Sequence, residues 1–190
     1  MGYAISWLAI RGKSSSTVRK ELGLLATGKL EDVPESKILG MELPSGWYLI
    51  FANDCGFAEG LPLGKLSQDA EVVACSVEEH VMFSYATGWR NGERHWAVTH
   101  DSNNGIQHLE TDGRPPFIFN AIRERLTLEQ TEADRNKINV DCIMDVPIEL
   151  AESLTGFRHN KDIDDDEGQF EILETIPGGA AEKATSFNKG

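Results

Sequence analysis

Residues 3–10 are a run of mostly apolar positions without a breaker, the pattern of a buried strand. Ser14, Ser15 and Ser16 then mark a helix start. Val18, Leu22 and Leu25 recur at i, i+4 and i+7 on one helical face, and Gly28 stands where a glycine would end that helix. After a polar link at 31–36, strands are predicted at 38–43 and 47–52, on either side of the turn Pro44-Ser45-Gly46. Residues 53–68 contain Gly56, Gly60, Pro62 and Gly64, and are expected to form a long irregular loop with a helical turn near Leu63.

The most regular pattern follows. A strand at 71–77 leads to two strands, 81–89 and 94–100, that flank Asn91-Gly92, a type I′ hairpin dipeptide. With those two residues as the loop, Arg90 pairs Glu93, Thr87 pairs Trp96, Tyr85 pairs Val98 and Phe83 pairs His100. That register puts Phe83, Tyr85, Trp96 and Val98 on one face, and the small or polar Ser84, Ala86, Ala97 and Thr99 on the other. A second dipeptide, Asn104-Gly105, predicts another hairpin into 106–109 that sets Asp101 opposite His108. The meander spans about residues 71–110.

Arg114-Pro115-Pro116 opens a helix. Phe117, Ile118, Ala121, Ile122, Arg125 and Leu126 follow helical spacing toward Ala133. A strand is expected at 140–146, a short helix at 147–154 ended by Gly156, an edge strand at 170–176 and a mobile tail at 177–190. Strands come in runs with helices outside them. The expectation is one α+β domain over 1–176: a mostly antiparallel sheet with two to three helices packed on one face.

Composition narrows the function classes. The chain has 190 residues, 40% of them hydrophobic, enough for a core without staples. Thirty-one acidic against 18 basic residues give a formal charge of −13, which argues against a general nucleic-acid binder and permits a basic protein partner. Cys55, Cys75 and Cys142 are odd in number and widely spaced; they fit free thiols in a reducing cytoplasm, so a cytoplasmic location is expected. No apolar run approaches the roughly 20 residues needed to span a bilayer, and no membrane association is expected. Met1-Gly2-Tyr3-Ala4-Ile5-Ser6 formally fits a myristoylation pattern, but a first strand tied into a sheet is the preferred reading.

Motifs for chemistry are sparse. Neither phosphate-loop glycine pattern occurs, no H-E-x-x-H occurs, and no cofactor is called for. His100, Asp101 and His108, gathered by the Asn104-Gly105 hairpin, form the one cluster able to hold a divalent metal; the plainer arrangement is a cross-strand Asp101–His108 pair beside a core His100. Cys55, in the glycine-rich loop, is the candidate nucleophile of a hydrolase, with the Asp101/His108 region as its alternative site. Glu78-Glu79-His80 is expected to be a solvated turn.

Trp7, Trp47 and Trp96 are expected in the core. Trp89, Arg90 and Arg94 at the hairpin tip form a candidate contact patch. Asp162, Asp164, Asp165, Asp166 and Glu167, continued by Glu171 and Glu174, form an acidic segment able to steer a basic partner. It does not match a calcium loop, because the glycine comes one residue late and position twelve is Leu173. In size, charge and lack of catalytic motifs the chain resembles small acidic bacterial immunity proteins, which neutralise basic toxins by covering their active sites. That resemblance implies a non-enzymatic inhibitor that binds a basic protein by occlusion.

Overall fold

The apolar runs near 3–10, 48–52 and 71–77 become three neighbouring strands in the middle of one antiparallel sheet. The computed structural model describes residues 2–161 and 168–186. Along the chain these form β1 (Ala4–Arg11), α1 (Ser15–Leu22), β2 (Leu24–Glu31), β3 (Ile38–Glu42), β4 (Tyr48–Ala52), α2 (Leu63–Leu66) and β5 (Glu71–Glu78). There follow β6 (Phe83–Arg90), β7 (Glu93–Asp101), β8 (Glu110–Gly113), α3 (Ile118–Arg135), α4 (Asp145–Thr155), β9 (Phe170–Thr175) and α5 (Ala180–Ser186). The strand order is β2-β9-β3-β4-β1-β5-β6-β7-β8. The fold is α+β with a mostly antiparallel sheet. No helix among the described residues is long and apolar enough to cross a membrane.

The helices number five among the described residues and cover both faces, where two to three on one face were expected. The central strands explain this. In β1, Trp7 and Ala9 point into one core while Leu8 and Ile10 point into the other, so each face needs a cover. On the first face α3 and α4 bring Phe119, Ile122, Leu126, Val146, Ile148 and Leu150. On the second, α1, α2 and α5 bring Val18, Leu22, Leu63, Leu66, Ala181 and Ala184. The 177–190 stretch, expected as a mobile tail, thus includes a helix with two buried alanines.

Local chemistry accounts for the other differences. Ser14 caps α1, its hydroxyl accepting from Thr17 N at 3.3 Å, but the helix stops at Gly23 and not at Gly28. Gly23 has φ +69°, and a Cβ there would stand 2.8 Å from Gly179 Cα. Gly28 sits instead where the β2–β9 register shifts, between Ala26 and Leu30. The 140–146 segment is not a strand. The buried amide of Gln130 takes the place of a strand partner, accepting from Cys142 N at 2.7 Å and donating to Val140 O at 3.2 Å. The 170–176 strand is interior, because β2 lies outside it.

The β6–β7 hairpin keeps the predicted Arg90–Glu93 pair, then shifts by one residue: Gly88 faces Trp96, Ala86 faces Val98 and Ser84 faces His100. A one-residue shift reverses which residues share a face. Ser84, Ala86 and Gly88 therefore join Trp96, Val98 and His100 on the first face, and Phe83 and Tyr85 lie on the opposite one. The packing requires it, since a Cβ on Gly88 would fall 2.1 Å from Trp96 Nε1, so the glycine makes room for the indole. After β7 the chain makes a 3-10 turn at Ser102–Asn104, and the next strand is Glu110–Gly113 and not 106–109.

Candidate functional site

The expected cluster of His100, Asp101 and His108 does assemble. Asp101 Oδ1 caps the 3-10 turn by accepting from Asn103 N at 2.9 Å, and the chain then returns His108 to the end of β7. There Asp101 N donates to His108 Nδ1 at 3.0 Å, and His100 Nδ1 donates to His108 O at 2.7 Å. His100 Nε2 meets Asp141 Oδ2 at 2.9 Å. Asp141, between α3 and α4, was absent from the expected set because 140–146 read as a strand. A carbonyl and a carboxyl oxygen thus face the two ring nitrogens of fully buried His100.

This constellation is a structural clasp. Both His100 nitrogens and His108 Nδ1 are engaged, and among the described residues no three His, Cys, Asp or Glu side chains converge on a metal position. Ser84 lies across from His100, but its hydroxyl donates to Met144 O at 2.6 Å, and His100 has no free nitrogen to act as its base. The network instead ties the α3–α4 joint to the sheet.

Among the described residues Cys55 has no activating partner. Burial pushes its thiol above the ordinary value, and Glu78 and Asp54 push it further the same way. A reactive thiolate needs electropositive surroundings, and these are acidic. His80 bonds the Glu78 carboxylate through Nδ1 at 2.6 Å. Burial also raises Cys75, to about 12, and Cys142.

The hairpin-tip patch is divided. Trp89 and Arg94 are cross-strand partners on the second face, where Trp89 packs beside Gly64 and Arg94 pairs with Asp112 at 2.5 Å. Arg90 turns to the first face, 3.3 Å from Glu71. Asp162, Asp164, Asp165, Asp166 and Glu167 lie outside the described residues. Glu171, on β9, stands 3.8 Å from Arg19.

Arg90 instead belongs to a site at the end of the strands. The β1–β5 register sets Arg11 beside Glu71, and the β5–β6 register sets Glu71 beside Arg90. Three adjacent strands thereby carry an Arg11–Glu71–Arg90 row. Glu71 Oε2 accepts from Arg11 Nε at 3.1 Å, while Oε1 faces Arg90. The Arg11 guanidinium also lies 4.5 Å over the Trp47 ring. These residues line a cleft of about 310 Å³ with His95, Trp96, Arg114, Pro116 and Leu154 among its walls. Backbone anchoring places Arg114, whose N–H donates to His95 O at 2.9 Å. Its exposed guanidinium has no acidic partner among the described residues.

Of this cleft's lining, Trp89 and Arg90 were candidates in the sequence. Trp47 and Trp96 are buried, as expected, yet they also wall the cleft. The usable signal was a cation or carboxylate at the same end of three strands, and it becomes readable once the strand order is known. No family model, no curated protein and no solved structure matches the chain.

Proposed function

We propose that the protein is a non-catalytic binding protein and that the strand-end cleft is where it binds. The observation that carries this reading is that Arg11 and Arg90 flank Glu71 in a cleft that Arg114 also lines, in a chain whose formal charge is −13. A positive cleft in a negative molecule selects an anionic group. The engagement of His100 and the acidic surroundings of Cys55 support a role without covalent chemistry. The indole N–H signals test it. On titration with acetate and with phosphate, Trp47 and Trp96 should shift saturably while Trp7, buried away from the cleft, stays fixed. Non-saturable or uniform shifts would rule the cleft out.

The surplus of 31 acidic over 18 basic residues favours a second reading, a basic protein partner held by occlusion in the manner of an inhibitor or immunity protein. Here, converting Asp162, Asp164, Asp165 and Asp166 to Asn and Glu167 to Gln should slow association with a basic partner at low salt. An unchanged association rate would sink that version.

A further inference from the structure

We infer that the cleft takes a phosphate monoester carried on a flat apolar body. This rests on reading the cleft as the binding site. Three guanidinium groups and one carboxylate leave it with a charge of +2 when His95 is neutral. A phosphate monoester carries about −1.5 to −2 at neutral pH, whereas a carboxylate carries one charge, so the monoester is the closer match.

Donor supply points the same way. Each guanidinium has five N–H donors in a planar fork. Arg11 directs Nε and one terminal nitrogen to Glu71, Arg90 directs one, and Arg114 directs none to an acid among the described residues. The remaining donors suit the several oxygens of a phosphate. The rest of the wall is largely apolar, with Trp89, Pro116 and Leu154 beside the mostly buried Trp47 and Trp96, and an apolar wall suits a ring. The volume, about 310 Å³, is at the low end of small-ligand sites and accommodates one ring with one phosphate. The shared chemistry is an aryl phosphate, whose source is either a phosphotyrosine side chain or a free small molecule.

Calorimetric titration of the full chain at low salt with phenyl phosphate, benzoate and inorganic phosphate tests this. Phenyl phosphate should bind at least about tenfold more tightly than either other probe, and Arg114→Gln should weaken it about tenfold. Glu71→Gln, which removes the internal competitor, should tighten it severalfold, a gain that misfolding cannot produce. A phosphotyrosine peptide that binds as well as phenyl phosphate would support the inference and identify a protein source; rejection of the peptide with retention of phenyl phosphate would support it with a small-molecule source. Benzoate binding as tightly as phenyl phosphate, and lost in Arg114→Gln, would overturn the phosphate inference while the cleft remains the binding site. Inorganic phosphate binding equally well would overturn the apolar body. Absence of saturable binding by all three probes would overturn both the inference and the cleft reading.

Discussion

His100 is a buried imidazole whose two nitrogens both face acceptors, and Asp141 decides whether that is stable. Asp141→Asn preserves every bond: the new amide donates to His100 Nε2, and its oxygen still accepts from Met144 N, as Oδ1 does now at 3.1 Å. Asp141→Ala orphans both. The alanine variant should lose about 3 kcal/mol of stability and the asparagine variant less than about 1 kcal/mol, read from urea unfolding. Equal losses would show that the hydrogen bonds at this position are unimportant. His159 presents the opposite case. Burial, followed by the neighbouring Arg158 charge, outweighs Glu79 at 3.9 Å and lowers its pKa from 6.5 to about 4. Between those two pH values the unfolded chain binds a proton that the folded chain refuses. Stability is therefore fully present above 6.5 and falls as the pH drops toward 4, by up to about 3 kcal/mol. His159→Phe keeps a ring against Tyr3 and should flatten that part of the pH–stability curve. A slope identical to wild type would assign the acid sensitivity elsewhere.

At the level of elements, two glycines separate steric from conformational demands. Gly88→Ala drives a methyl into the Trp96 indole and should cost about 3 kcal/mol, with loss of the near-ultraviolet signal of that tryptophan. Gly28→Ala meets nothing within 4 Å and bears only the penalty of φ +72°, about 1 kcal/mol. Comparable losses in thermal or urea unfolding would contradict this division. The same glycines mark how far the sequence could be read. The Asn91-Gly92 turn, the helix ended by Gly156 and the apolar central strands follow from local pattern, and all are present. Which side of the β6–β7 hairpin is buried does not follow, because the bulge near His95 depends on Trp96 finding Gly88 across the ladder. Nor does the interior position of β9, which is fixed by pairing with β2 and β3, more than 130 residues earlier. The cleft was hidden for the same reason: Arg11 lies 60 residues before Glu71 in the chain and meets it only through strand order. The His100–His108 clasp was half legible, since its local part comes from one short connection and its Asp141 part from a segment held by distant partners, Gln130 and Ser84 among them.

For the whole molecule, the sheet and the charge act together. The last strand inserts between β2 and β3, so the C-terminal region completes the sheet that the N-terminal region begins. Folding thus gathers the described strands of a chain of net charge −13 into one sheet, and the like charges repel across it. The cleft is the reverse on a small scale, a positive site inside that negative field. Salt should move these two properties in opposite directions. Raising ionic strength from about 20 mM to about 300 mM shortens the screening length from about 20 Å to about 6 Å. Self-repulsion over the whole surface is relieved, so the melting temperature should rise by a few degrees. The attraction of an anion to Arg11, Arg90 and Arg114 is screened by the same ions, so binding at the cleft should weaken severalfold over that range. Thermal melts and an anion titration at the same salt steps make the comparison direct. A melting temperature that falls with salt would mean that exposed ion pairs such as Arg125–Glu129 outweigh the overall repulsion. An anion affinity indifferent to salt would mean that the three guanidinium groups are not its source.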